Sequence, residues 1–546
     1  MKKLILPVLL LCVAASVFAG GGSQKVDTSD PKYPITISVF SQTPQPEPPA
    51  DNKIMKYLKD KLGVTISWDI LVGEITQKRG IMIAAGDYPD LVTINETAFI
   101  EAGAMIPLEG LIEQYGPNIK EHYADVWDKM KSPDGHIYYL INAGINHGVD
   151  HSPYYGDTAF WTQKAVLKEF GYPQVATMDE YFDMLIKYKQ KYPTINGAPT
   201  IVFTTLSYDW RAFSMWNPPN FLAGYGNEGN GTVDPVTHEY KNFFTQDMSK
   251  RWFKKLNELN QQGHIDRSAF VDNYDQYIAK ISSGRVLSIN DQRWQFQDAD
   301  DSLRDQGQYI RTMAPLPIVF DKSIRPRYRN QVIPNIGRGV GISVKAKDPV
   351  RIIRFINEYL SQETQRVLEW GIEGEDWQWN ANHEPYRTPQ QRVNWEDQIW
   401  QLHNRARHLI DFMPTWGGSF KDGFPQDLTH YYPEREAMLR PEDKELWTAY
   451  GVTSNNELVD KDPPPNALWF PTWSMPNAPD GSEAGIARVR YENTMKKYIP
   501  MLVMAAPNDF ERVWAEYVKQ MNDDGMAKFE AYMQEQLNLR IKAWSK

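Results

Sequence analysis

At 546 residues the chain is long enough for two or more domains, each with a core of its own. A net charge of −10 with no basic run argues against a nucleic-acid partner. The single cysteine, Cys12, excludes an internal disulfide and a cysteine-bound zinc.

Residues 1–19 read as a secretory leader. Lys2 and Lys3 form the basic start, Leu4 to Val17 the apolar stretch, and Val17-Phe18-Ala19 the small-residue cleavage pattern. The apolar run is too short for a membrane span. Cys12 falls inside the leader, so cleavage leaves no thiol. Its context is poor for lipid anchoring, because Leu11 stands where a small residue belongs. Residues 20–29 form a flexible polar lead-in. The expected location is periplasmic or extracytoplasmic, with the mature protein soluble.

Ile35 to Phe40 alternates apolar and polar residues, as a strand does. Asp51 is the expected cap of a helix with Ile54, Leu58 and Leu62 on one face and Gly63 at its end. Val64–Ile70 reads as a strand, Ile75–Ala85 as a helix, and Leu91–Ile94 as a strand. This alternation predicts an α/β fold with parallel strands and right-handed crossovers. Ligands of such sheets sit at the carboxyl ends of strands, here Ser41, Gln42, Asn95 and Glu96.

Later segments repeat the pattern. Thr158–Thr162 and Val286–Ile289 read as strands. Val340–Val344 reads as a strand followed by a helix opened by Asp348-Pro349, with Val350, Ile353, Ile356 and Leu360 on one face. Trp370, Trp377 and Trp379 follow, around Gly371-Ile-Glu-Gly374.

The segments GDYPDLV (86–92), IPLEGL (106–111), DGHIYY (134–139), the helix running to GHID (263–266), the approach Tyr277–Leu287 and the stretch 339–377 occur in a definite order. In that order they resemble the bacterial extracellular solute-binding proteins of family 1, in their longer form related to alginate- and rhamnogalacturonan-oligosaccharide-binding proteins. The resemblance spans roughly residues 30 to 540. It implies a two-lobe periplasmic binding protein fold of type II, hinge-linked, with a ligand cleft between the lobes. Lobe 1 would comprise 30–152 and 313–372, and lobe 2 would comprise 153–312 and 373–546. The hinges would lie near Gly148–Pro153, Arg311–Ala314 and Gly371–Gly374.

The resemblance further implies an ABC importer's substrate-binding protein. It would trap an oligosaccharide, neutral or acidic, by hinge closure and deliver it to membrane permease subunits. The protein would act as a monomer, without a cofactor. Eighteen tryptophans, 29 tyrosines and 22 phenylalanines suit such a groove or a large core equally well. The candidate ligand contacts in lobe 2 are Trp161, Trp210, Arg211, Trp216, Asp291, Arg293 and Trp294. Trp377 and Trp379 follow the crossover helix. Arg325 belongs to a local basic patch with Arg327, Arg329 and Arg338, suited either to a sugar carboxylate or to a solvated loop.

His147 and His151 are four apart, but no third metal ligand is evident. Lys191–Ala198 lacks the acidic ligands of a calcium loop. No nucleophile elbow, phosphate loop or zinc-helix motif is present. The expectation is therefore a receptor, not an enzyme. The alternatives left open are a secreted glycoside-active enzyme, whose carboxylate pair is invisible in sequence, and a receptor for peptides or another polar solute.

Overall fold

A computed structural model describes residues 30–42, 46–93, 97–336, 338–405, 409 and 413–545. The leader, the lead-in and Cys12 lie outside the described residues, as do Asn95 and Glu96.

The first sheet has five strands in the order Val64–Ile70, Ile35–Ser41, Leu91–Val92, Gly339–Ile342, Leu140–Ile141. The first three run parallel, in register from Ile35 opposite Val64 to Ser41 opposite Ile70. Gly339–Ile342 runs antiparallel to both its neighbours. Helices Lys53–Leu62 and Ile75–Ala85 make the crossovers, as the alternation predicts.

The first helix is capped by Asn52 rather than Asp51. The Asn52 side-chain oxygen accepts from the amides of Ile54 and Met55, each at 3.0 Å. Its own amide is anchored on the carbonyls of Leu402 and Arg405. Asp51 turns outward to pair with His403 at 2.8 Å. The cap goes to the residue immediately before the first turn. Gly63 ends the helix at φ +67°, where a Cβ would lie 2.1 Å from the Lys32 carbonyl oxygen, so only glycine fits.

The helix Pro349–Tyr359 begins as expected, with Asp348 accepting from the Arg351 amide at 3.0 Å. It buries Ile352, Ile353, Phe355, Ile356 and Tyr359 against the first sheet's core, while Val350 is only half-buried.

The second sheet has Thr158–Gln163 in the middle, flanked antiparallel by Ser288–Gln292 and Met313–Leu316. Its core holds Phe160, Trp161, Tyr181, Phe182 and Trp252. It extends into the helices Asp247–Gln261, Glu483–Met504, Phe510–Asp523 and Met526–Trp544.

The expected boundaries differ from the observed cores. Met313–Leu316 is a strand of the second sheet, and Ile318, Phe320 and Tyr328 share its core. The chain returns to the first unit between Tyr328 and Ile336, not at Arg311–Ala314. Trp377, Leu409, Met413, Trp416, Phe420 and Leu428 pack into the first core, so the last crossing falls after Tyr431 rather than at Gly371–Gly374. Periodicity identifies an apolar face but not which of two cores it joins. The first crossing falls between Ile145 and Tyr155.

These crossing segments lie side by side. The Asn335 amide donates to the Ala143 carbonyl at 3.0 Å. Gly144, at φ +83°, leaves no room for a Cβ beside the Ile333 carbonyl. Asn146–His147 pairs in parallel with Gly417–Gly418.

Candidate functional site: an aromatic chamber

A chamber of about 790 Å³ lies against the second unit beside the crossing segments, with Gly156, Asp157, Asn335 and Arg338 in its lining. Its floor is a pair of exposed tryptophans. Trp210 is 62% and Trp294 51% exposed; their ring centroids are 5.8 Å apart and their planes 17° from parallel. Trp294 stands in the first turn of the helix Arg293–Asp305. Trp210 follows Asp209, whose φ of +46° turns the chain sharply, a conformation that Asp tolerates better than most residues.

Arg211 stiffens this floor. Its guanidinium lies 4.8 Å from the Trp210 ring and 4.5 Å from the Tyr274 ring, and it is ion-paired to Asp209. Phe213 packs within 6.2 Å of both tryptophans. Two exposed, offset-stacked indoles offer apolar ring surface to a flat ligand.

Trp473, 44% exposed, forms another wall. Its turn is pinned from below. The Thr472 amide donates to the Glu228 carboxylate at 3.1 Å, and the Thr472 hydroxyl donates to the Glu228 carbonyl. One Arg540 nitrogen donates to the carbonyls of Trp469 and Pro471 and to the Ser474 hydroxyl. Gly229, at φ +87°, sits so close that a Cβ would be 2.8 Å from the Trp473 Cβ.

The rest of the lining is rich in amides: Asn217, Asn227, Asn230, Gln292, Asn335 and Asn477. An amide offers both donors and acceptors, as recognition of hydroxyl groups requires. Trp216 Nε1, Asn217 Oδ1 and the Tyr240 hydroxyl, on lining residues, are buried without a hydrogen-bond partner among the described residues. Each such orphan costs about 1–3 kcal/mol. Arg488 and Glu492 neutralise each other at 2.9 Å, and Arg488 also donates to Asn477.

Asp291 lies beneath the floor, fully buried. It accepts from the Tyr277 hydroxyl at 2.7 Å, from the Gln292 amide at 2.7 Å and from the Gln295 amide at 2.9 Å. Burial pushes its carboxyl up to about 7, against those hydrogen bonds and the nearby Arg211 charge. Burial likewise pushes Glu228 up to about 7 and Asp157 up to about 6. In contrast, burial lowers His147 and holds His122 near 3.

The sign of the resulting pH dependence follows from linkage. Carboxyls raised in the native state bind more protons there than in the unfolded chain, so their contribution is full below about 4 and is lost as pH rises through 6 to 7. The lowered histidines oppose this below about 6.5 and are neutral in both states above it. The thermal midpoint is therefore expected to fall between pH 6.5 and 8, and Asp291→Asn to flatten that fall. A midpoint that rises over this interval would contradict the assignment.

The structure brings four of the expected residues together: Trp210, Trp216 and Trp294 line the chamber, and Arg211 braces it. The others lie elsewhere. Trp161 is 1% exposed in the second core, its Nε1 donating to the Asp291 carbonyl at 2.8 Å. Asp291 is the buried support just described. Arg293 is turned inward, 3.4 Å from Asp300 and over the Phe296 ring. Trp377 is 2% exposed, bonded to the Gly371 carbonyl, and Trp379 stacks on His383 beside the first core. Arg325 is on the surface near Asp460 and donates to the Asp462 carbonyl.

Ser41 is buried, its carbonyl accepting from Leu71, and the Gln42 amide donates to Thr93; neither lines the chamber. Of the arginine patch, Arg338 alone reaches it. His147 pairs with His122 at 3.0 Å against Trp416, and Thr194–Pro199 is a two-residue hairpin through Asn196-Gly197. No group of three metal-ligating side chains occurs among the described residues. Sequence reading passed over Trp473. Its signal was there: PPPNALWFPTWSMPN (463–477) is aromatic yet too proline-rich for a helix or central strand.

Two α/β units joined by adjacent crossing strands, with an aromatic, amide-lined chamber beside the crossings, form the architecture of a ligand-capturing binding protein. Residues 53–370 match the family model described as bacterial extracellular solute-binding protein, and the chain belongs to that family. It is similar to the fructooligosaccharide ABC transporter substrate-binding protein FusA of Streptococcus pneumoniae serotype 4 (strain ATCC BAA-334 / TIGR4). The identity is 28% over 311 residues, 50% of this chain and 54% of that one, so the chain spans about half the length of that relative.

Among solved structures it resembles an HMO-binding ABC-transporter-associated solute-binding protein from Bifidobacterium longum infantis ATCC 15697. The TM-score is 0.65 at 17% identity, covering 92% of this chain and 99% of that one. It also resembles the alginate-binding protein AlgQ2, with a TM-score of 0.62 at 17% identity, covering 92% and 98%. These likenesses show a shared two-domain fold. No described helix is long and apolar enough to cross a membrane.

Proposed function

We propose that this protein is the substrate-binding component of an ABC importer, capturing an oligosaccharide outside the cytoplasm and presenting it to membrane permease subunits. The observation that carries this reading is the exposed, nearly parallel Trp210–Trp294 floor in a chamber fringed by amides. Flat rings pack on the apolar C–H faces of sugars, and amides pair with their hydroxyls. The names of FusA, of the HMO-binding protein and of AlgQ2 point to the same ligand class. A fructo-, alginate- or milk-oligosaccharide is thus the first panel to try.

The protein binds its ligand and does not turn it over. Closure would draw on the link between units at Arg79 and Asp480, 2.6 Å apart. Asp480 closes the loop that places Asn477 and Ala478 in the chamber wall, so movement of the first unit is felt there. Only the difference in ligand affinity between open and closed forms can drive that movement.

The test is titration of the purified chain with the three oligosaccharide series, followed by tryptophan fluorescence, with chromatography of the sugar afterwards. Saturable quenching or enhancement with the sugar intact is the expected result. Shortened sugar would make the protein an enzyme. Silence across the panel, with a response to peptides, would make it a receptor for another solute.

A further inference from the structure

A second chamber, of about 410 Å³, opens beside the first and shares Gly156 and Asp157 with it. Its lining has a different character. Asp150, Ser152, Arg329, Asn330, Gln331 and Asn456 supply carboxylate, hydroxyl, guanidinium and amide groups. No tryptophan lines it; Tyr154 is its one exposed ring, and Tyr155 is buried with its hydroxyl donating to the Thr158 and Tyr328 carbonyls.

The walls are fixed by their own bonds. Asp150 accepts from the Ser152 amide, Asn456 donates to the Ser152 carbonyl at 2.8 Å, and Arg329 donates to the Asp460 carbonyl at 3.0 Å. The two segments that build most of it are crossing segments between the units. It therefore extends the aromatic chamber towards the hinge.

The two chambers meet at Gly156, which lines both. A Cβ added there meets nothing within 4 Å, and the residue does not have the left-handed φ that demands glycine. Asp157, at the same meeting point, accepts from Asn227 at 3.3 Å and so keeps a second oxygen for a ligand hydroxyl.

We infer that the ligand chain runs from the tryptophan floor past Gly156 and Asp157 into the polar chamber, which holds a terminal part of the sugar by hydrogen bonds without stacking. The site thus selects oligosaccharides long enough to fill both chambers. This inference rests on the oligosaccharide reading above and adds chain length to it. A short ligand leaves these amides and hydroxyls to water, whereas a longer one exchanges that water for direct hydrogen bonds and adds their contribution.

The experiment is calorimetric titration with length-graded series of fructo-, alginate and milk oligosaccharides, on the wild-type chain, Gly156→Trp and Gln331→Ala. Gly156→Trp fills the meeting point of the chambers without straining the backbone. Gln331 is exposed, and its side chain makes no hydrogen bond among the described residues, so its loss leaves the fold alone. The wild-type chain should bind tighter as the sugar lengthens.

Each variant should weaken the longest binder by about ten-fold or more while changing the shortest by less than about two-fold. Wild-type affinity independent of length overturns the inference and leaves the receptor reading standing. So do variants that weaken short and long sugars equally, or that weaken neither. No binding by the wild-type chain to any member of the panel overturns the receptor reading, and this inference with it. Gln331→Ala keeps the test decisive even where the bulkier variant fails to fold.

Discussion

Trp294→Ala is expected to weaken oligosaccharide binding by about 30- to 1,000-fold, roughly 2–4 kcal/mol, the range of a central aromatic anchor. The same variant should leave unfolding free energy within about 0.5 kcal/mol of wild type, because half of this ring is already in water. The split arises from geometry. The indole is held in the first turn of Arg293–Asp305 and faces the chamber beside Trp210 rather than the second core.

Trp210→Ala should follow the same pattern. The double variant should lose less than the sum, since each ring supports the other's orientation. Trp294→Phe should restore part of the affinity, as a smaller flat face remains. Calorimetry with one oligosaccharide and a thermal melt of each variant decide the matter. Unchanged affinity in Trp294→Ala would remove the tryptophan floor from the binding site.

The sequence made the fold of the first unit readable because each element carried its own punctuation. Gly63 and Gly86 stop two helices, and Asp348-Pro349 starts another; alternation marked Ile35–Ser41. Boundaries between the units were not readable in the same way. Met313–Leu316 and Trp416 are apolar in any setting, and only three-dimensional packing decides which core takes them.

The site was legible in part for a related reason. Trp210 and Trp294 stand in polar, turn-forming surroundings, whereas Trp161 sits in TAFWTQ and Trp377 beside a glycine loop, contexts that a cleft and a core share. Asp291 and Arg293 lie close to Trp294 in the chain, yet face away from the chamber. Asp291 alternates with the chamber-lining Gln292 on the strand, and Arg293 is turned about 100° from Trp294 on the helix that follows. Trp473 escaped notice because it comes from a loop more than 170 residues downstream of Trp294 in the chain, and no local pattern announces that meeting.

Trp161→Ala should show the reverse of the Trp294 result: a loss of about 3–5 kcal/mol in stability. Trp161 lies at the centre of the second sheet's middle strand, edge-on to Phe296 at 5.1 Å and tilted against Tyr155 at 5.9 Å. Removing it opens a cavity that a three-stranded sheet, pinned on both sides, cannot collapse to fill. It also takes the indole donor from the Asp291 carbonyl, on the strand whose end carries Gln292 to the chamber.

Trp161→Phe should recover most of the packing but not that bond, and so should lie between alanine and wild type. Urea unfolding measures both. Molecules that remain folded should bind sugar with an affinity close to wild type, because Trp161 makes no part of the chamber surface. Bound sugar should then raise the midpoint of Trp161→Ala, since a ligand that binds only the folded state stabilises it by mass action. A Trp161→Ala protein of normal stability that had lost sugar binding would put this indole on the ligand, against its buried place behind the floor.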